Sequence, residues 1–280
     1  MTHQTAFIKS SDDINLFSQV WKPDQSPDCV ICLVHGIGEH SSRYDDWAKR
    51  FVSKNIAVVG FDQRGHGKSE GKRGVIPSYE TLLDDIDILL LKCEELFPNM
   101  PIVLYGHSMG GAEVLSHLNS RHGIYKAVIS TSPWLIAQQS PPKFLIPIVG
   151  LFKRLFPNLG LKTKLNPDLL SRDSNVGKEY MNDPLVHPMV SFRLFYEAYQ
   201  RGYSLLNSKS KLNKPLLLLH GSSDLITSHS ASQKFAANAG ELCQFHLFEG
   251  AFHELQNDFC KDEAFDLILS WVNKNVTPSL

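Results

Sequence analysis

The sequence predicts an α/β protein with a largely parallel sheet, interrupted once by a helical insertion. Two observations carry the fold class. Short apolar runs alternate with longer amphipathic ones along most of the chain, the pattern of buried strands joined by helical crossovers. The 280 residues are 42% hydrophobic and 20% charged, enough apolar material for a full core. A third observation carries the insertion: between Pro133 and Pro215 that rhythm stops, and several prolines and a basic apolar stretch replace it.

In chain order, residues 5–9 and 15–21 read as an antiparallel hairpin turning at 11–13. Residues 31–34, 56–61, 102–105, 127–130, 216–220 and 244–248 read as strands, each an apolar or alternating run of strand length. Helices are expected over 43–54, 79–97, 112–119, 230–238 and 263–276, where apolar residues recur at helical spacing. The expected organisation is a first core segment (1–133), a helical cap (134–207) with no clear strand, and a second core segment (208–280).

Twenty-eight Lys and Arg against twenty-nine Asp and Glu leave a formal net charge of -1, so no overall field recruits nucleic acid or an acidic substrate. Residues 1–13 show no basic stretch followed by an apolar segment, which points to a cytoplasmic protein. The longest apolar run, 144–152, falls short of the ~20 residues a membrane span needs. Five scattered cysteines argue against a disulfide-stapled fold. Cys29 and Cys32 have redox or zinc-site spacing, but in a strand they point to opposite faces and cannot share a metal.

The sharpest chemical signal is Gly106-His107-Ser108-Met109-Gly110, where an apolar strand runs through GxSxG into a helix. That context is a nucleophile elbow: the turn is strained, side chains beside the serine do not fit, and the hydroxyl of Ser108 projects alone above the sheet. A serine hydroxyl attacks only when a histidine takes its proton and a carboxylate holds that histidine's tautomer. With this elbow the partners follow in the order Ser, Asp, His, each after a strand. Asp224 ends the Gly/Ser turn after the strand at 216–220, and His253 follows the glycine turn after the strand at 244–248. Rival groups are less well placed: His246 lies inside a strand, and Asp258 and Glu249 do not follow one at the required position.

An oxyanion needs two backbone N–H donors already in position. Met109, the residue after the nucleophile, supplies one, and the loop His35-Gly36-Ile37-Gly38 supplies the other, with Ile37 as the expected donor. A near miss is Gly65-His66-Gly67-Lys68-Ser69. A phosphate loop of that ending demands glycine at 62, where Asp62 stands, so the segment reads as a core loop with Asp62 and Arg64 as ion partners. No cofactor or metal is implied.

With these residues assembled, the chain resembles the monoacylglycerol lipase and lysophospholipase branch of the α/β-hydrolases. The marks are HGIGEHSSRY at 35–44, FDQRGHGKSEG at 61–71, GHSMGG at 106–111, HGSSD at 220–224 and EGAFH at 249–253. The resemblance implies the α/β-hydrolase fold with a mobile cap over an acyl tunnel, and hydrolysis of single-chain glycerol esters without a cofactor. It implies the same triad. It also places Glu39, Arg43 and the cap residue Tyr180 near the polar head of an acylglycerol or lysophospholipid substrate. Gln256 departs from the pattern, since the family's eukaryotic monoacylglycerol lipases carry a histidine there. The alternatives are a lysophospholipase or general carboxylesterase and, in another class, a non-catalytic ligand-binding fold, against which an intact triad argues.

The cap has its own signal. A helical projection over 144–159 puts Phe144, Ile148, Leu151, Phe152, Leu155 and Leu159 on one face, and Lys143, Lys153 and Arg154 on the other. Between Trp134 and Pro167 there is no acidic residue. Tunnel lining is the favoured role, with Ile148, Phe152 and Leu155 along the acyl path; peripheral contact with a membrane is the alternative.

Overall fold

The structure, a computed structural model, describes residues 1–163, 165–208 and 211–277. The leading hairpin is β1 (Thr2–Lys9) and β2 (Asn15–Lys22). Then come β3 (Cys29–Val34), α1 (Asp45–Val52), β4 (Ile56–Phe61), α2 (Tyr79–Leu96), β5 (Ile102–His107), α3 (Met109–Ser120) and β6 (Ala127–Thr131). Eight strands form one sheet, in the order β1-β2-β4-β3-β5-β6-β9-β10, where β9 is Leu216–Gly221 and β10 is Cys243–Phe248. Only the pairings of β1 with β2 and β2 with β4 are antiparallel. From β4 across to β10 the sheet is parallel. β3, β4, β5, β6 and β9 are buried at every residue, which is why they read as unbroken apolar runs rather than as alternation.

Helices cover both faces. On one face α1 lays Trp47 and Phe51 against Ile31, Leu33 and Val58, joined by Phe265 and Trp271 of the last helix. On the other, α2 and α3 bury Leu82, Ile86, Leu89, Val114 and Leu115 against Val30, Cys32 and Leu104. Cys29 and Cys32 fall in opposite cores, as strand geometry requires. All five cysteines are free.

The insertion follows β6. It holds α4 (Ile146–Leu155), β7 (Gly160–Lys162), α5 (Ser174–Asn182), β8 (Met189–Ser191) and α6 (Phe192–Asn207). After β9 the core resumes with α7 (His229–Ala239), and α8 (Lys261–Asn275) closes it after β10. The antiparallel pair of β7 and β8 corrects the expectation of a strandless cap. Three residues each, flanked by glycine or proline, are too few to show a period in sequence. α4 is also shorter than the expected 144–159: Pro147 fits its first turn, where no N–H is needed, and Pro157 disfavours helical geometry at Phe156.

The glycine-rich loop after β4 is structural, but its charges do not pair with each other. Asp62 accepts from the backbone N–H of Ser41 and of Lys68, each at 2.8 Å. Arg64 instead reaches Asp85 at 2.6 Å and Asp12 at 2.9 Å. The partners of Arg64 thus come from the middle of α2 and from the hairpin turn rather than from its own loop.

Candidate active site

Ser108 joins β5 to α3 with φ 54° and ψ -114°, a left-handed backbone that a non-glycine residue adopts only when its surroundings impose it. They do: its N–H donates to Thr131 O at 2.9 Å, and its carbonyl accepts from Trp134 at 2.9 Å and Ala112 at 3.1 Å. The two flanking glycines are sterically required. A Cβ on Gly106 would lie 2.2 Å from Gly110 O, and one on Gly110 would lie 2.3 Å from Val34 O.

The turn aims the hydroxyl at His253, whose Nε2 lies 3.0 Å from Ser108 Oγ. His253 Nδ1 donates to Asp224 Oδ2 at 2.7 Å. All three are buried, at 6%, 3% and 1% exposure for Ser108, His253 and Asp224. The carboxylate is fully engaged: Oδ1 accepts from the N–H groups of Ile226 at 2.7 Å and Thr227 at 3.0 Å, and Oδ2 also accepts from His220 Nε2 at 3.0 Å. His220 was not singled out from sequence, although it stands four residues before Asp224 in the motif at 220–224. The rival acids have other work. Asp258 accepts from Arg172 Nε at 2.7 Å, and Glu249 accepts from Ser222 at 3.0 Å. His246 packs on the Phe248 ring, 4.5 Å between centroids.

Burial and pairing set the charges. Burial alone would push the Asp224 carboxyl up, but the charge of His253 and the hydrogen bonds from both histidines hold it far below the usual carboxylate range. For His253, burial works against the imidazolium, and Asp224 outweighs it with help from Glu254 and Glu39, so its pKa rises above the ordinary histidine value. His107, whose ring lies 4.8 Å from that of His253, is pushed down to about 4 by burial and by its neighbour.

The loop after β3 packs directly on the nucleophile: a Cβ on Gly36 would come within 3.0 Å of Ser108 Cβ. Ile37 N–H has no acceptor among the described residues, and Met109 opens α3, where a first-turn N–H has no intrahelical partner.

A cavity of roughly 510 Å³ reaches Ser108 and Ile37. Trp134, Leu161, Phe192, Phe195 and Ile226 give it an apolar wall, and no Asp or Glu of the described residues lines it. Tyr180 stands in this wall. Three residues expected along the acyl path are not among those lining this cavity. Ile148 and Leu155 are 50% and 59% exposed. Phe152 reaches the wall only through its contact with the Phe192 ring, 5.1 Å between centroids. The α4 residue in the wall is Val149. A periodic apolar face shows that a helix is amphipathic, not which apolar surroundings take it. The Lys143 side chain lies outside the described residues.

Glu39 and Arg43 are likewise absent from the wall. Glu39 is buried and the Arg43 side chain is 10% exposed, and Arg43 Nη1 donates to Glu39 Oε2 and to Glu254 Oε1, each at 2.7 Å. Glu254 was missed in sequence because its partner Arg43 lies 211 positions away. Gln256, the departure from the family pattern, is buried with its Oε1 unpartnered.

The family described as serine aminopeptidase, S33, matches residues 25–259. The chain is 33% identical to an uncharacterized abhydrolase domain-containing protein of Dictyostelium discoideum, covering 99% of this chain but 30% of that protein. It is 30% identical to the human monoglyceride lipase, covering 95% of this chain and 89% of that one. The crystal structure of Paleococcus ferrophilus monoacylglycerol lipase superposes with a TM-score of 0.84 at 31% identity, covering 93% and 99% of the two chains. An elbow serine, its histidine and its acid in the order that fold demands, within a matched region running from β3 past His253, make the chain a member of the serine aminopeptidase S33 family of α/β-hydrolases.

Proposed function

We propose that the protein hydrolyses the ester bond of long-chain monoacylglycerols, releasing a fatty acid and glycerol. The observation that carries this is the hydrogen-bonded chain Ser108–His253–Asp224 at the end of an apolar cavity without acidic lining. Ser108 Oγ attacks the ester carbonyl as its proton passes to His253 Nε2, and the oxyanion takes the N–H groups of Ile37 and Met109. The imidazolium then protonates the departing glycerol oxygen, leaving an acyl-enzyme. Water, losing its proton to His253, releases the fatty acid and restores the serine. Asp224 stays ionised throughout, holding the Nδ1–H tautomer.

The name of the family does not make the substrate a peptide. An aminopeptidase must seat a free ammonium, and this wall offers no carboxylate for it while Lys162 contributes a cation. That lysine favours a lysophospholipid as the second reading, its phosphate taking the place of the neutral glycerol head. Turnover of monoacylglycerols, lysophospholipids and aminoacyl amides side by side decides among them; hydrolysis of the amides alone would overturn the ester reading.

The cap, 134–207, supplies both the tunnel and its approach. The outward face of α4 carries Ile148, Leu151, Phe152 and Leu155, with exposed Phe144, Phe156, Leu159 and Leu161 beside it. Such a patch next to Arg154 suits a peripheral seat on anionic lipid, where an acyl ester is dissolved. No helix of the described residues is long and apolar enough to cross a membrane. Five free cysteines fit a reducing compartment such as the cytoplasm.

A further inference from the structure

Behind the triad runs a buried chain of charges that the proposed reaction does not use. Glu254, the residue after His253, is 2% exposed and grips Arg43 through both oxygens, Oε1 to Nη1 at 2.7 Å and Oε2 to Nη2 at 2.9 Å. The same Nη1 donates to Glu39 Oε2 at 2.7 Å, and Glu39 Oε1 accepts from Gly36 N–H at 2.6 Å and Tyr44 Oη at 2.8 Å. The Tyr180 ring covers the guanidinium at 4.9 Å and separates it from the cavity. Every link is short, charge-assisted and desolvated, the conditions under which an ion pair fixes geometry. The chain starts beside the base and ends on the N–H of Gly36, the residue before Ile37.

We propose that Glu254, Arg43 and Glu39 form a strut that sets the distance between the histidine loop and the oxyanion loop, with Glu254 as a positioning residue for both. This rests on the hydrolase reading above. The geometry leaves little slack: a Cβ on Gly36 would lie only 3.0 Å from Ser108 Cβ, so a shift of the loop moves Ile37 N–H relative to the attacked carbonyl. Two carboxylates share one guanidinium, so the strut also places surplus negative charge beside the imidazole. The titratable groups facing His253 are Asp224 after β9, His107 at the end of β5, and Glu254 and Glu39, with His220 behind Asp224.

The test measures ester turnover, and the rate at which a fluorophosphonate labels Ser108, as functions of pH in the whole chain. Glu254→Gln keeps the shape but loses the charge and turns one of the two acceptor atoms into an N–H donor facing the guanidinium. It should lower kcat and labelling by roughly tenfold with little change in KM, a fraction of the loss from deleting an oxyanion donor. It should also move the acid limb of both profiles to lower pH, because a carboxylate favouring the imidazolium is gone. Glu254→Asp keeps the charge but withdraws it by one methylene, so it should lower kcat while leaving the limb at its wild-type position. Wild-type rates in Glu254→Gln, or a rate loss with an unmoved limb, would overturn the strut. Should Glu254→Gln not fold, Glu254→Asp decides alone, and wild-type turnover in it would overturn the proposal. A wild-type protein that neither turns over esters nor labels would instead overturn the hydrolase reading.

Discussion

Ser108, Asp224 and His253 stand on loops after β5, β9 and β10, and each is at most 6% exposed. Leu151 and Leu155 stand on α4 of the insertion and are 54% and 59% exposed, with Ile146 the helix's one buried residue among those described. The first region is positioned by a sheet whose neighbours are all fixed, so its side chains have one arrangement to adopt. The second is an apolar helix that the rest of the protein leaves uncovered. The two regions are therefore held differently: the Ser108–His253–Asp224 chain by hydrogen bonds and steric fit, the outward face of α4 by no packing partner of its own. Changes in the first region should act on kcat whatever the substrate's physical state, and changes on the outward face of α4 only where the substrate sits in a lipid phase.

The largest effect breaks the first region outright. Ser108→Ala should abolish ester turnover and fluorophosphonate labelling while the protein keeps its thermal unfolding temperature, since alanine retains the backbone bonds that hold the turn. Next, Asp224→Asn should lower kcat by about 10⁴, because an amide no longer selects the Nδ1–H tautomer. Asp258→Asn is its control: Asp258 ties Arg172 of the cap to the histidine loop, so its loss should lower the unfolding temperature and leave most of kcat. The reverse ranking would mean the acid was misassigned.

The pH profile sharpens the same side. His253 must be neutral to take the serine proton, and its folded-state pKa is raised by Asp224 above the ordinary histidine value. Activity should therefore rise with pH, falling about tenfold per unit below a limb that lies above 6.5. A limb below the ordinary histidine value would show that burial, and not Asp224, controls this group.

These residues are legible in sequence for a physical reason. Each triad member follows a strand, and a strand with a glycine turn is a local pattern; the chain order then limits the partners to a few. The parallel sheet and the hairpin are legible on the same ground. What lies across the fold is not. Arg43 and Glu254 are 211 positions apart, and nothing local distinguishes their pairing from two solvated charges. The direction of α4 is hidden differently: Val149 turns inward and Ile148 outward, one position apart, although both are aliphatic. There the pattern fixes amphipathicity and leaves the environment open.

For the second region, replacing Leu151 and Leu155 with serine removes two exposed apolar side chains that do not line the cavity. Partition onto anionic vesicles should fall about a hundredfold, taking at least ~1.5 kcal/mol per leucine moved out of an apolar phase. Hydrolysis of a short soluble ester should be unchanged. Val149→Ser is the contrasting variant: it lies in the wall, so it should lower kcat/KM for long-chain esters in detergent solution and leave vesicle binding alone. Exchange of the two outcomes would mean that α4 turns its other face to the tunnel.

The smallest effect concerns charge, and here the structure changes which residue to use. Lys153 Nζ is paired with Glu197 at 2.8 Å and lies 5.1 Å from the Tyr196 ring centroid, so altering it would disturb the packing of α4 on α6. Arg154 is exposed on the same helix and carries no ion pair among the described residues. A basic residue near an anionic surface contributes about 1 kcal/mol, so Arg154→Ala should weaken partition onto vesicles containing anionic lipid about fivefold. On vesicles of zwitterionic lipid the variant should match the wild type, and raising the salt concentration should shrink the anionic difference, because exposed charges are screened over about 10 Å at 0.1 M. Measuring both proteins by vesicle sedimentation at two salt concentrations separates this from the apolar contribution, which salt does not weaken in that way. Equal binding of wild type and variant to anionic vesicles at low salt would remove the electrostatic part of the docking and leave the leucines to account for all of it.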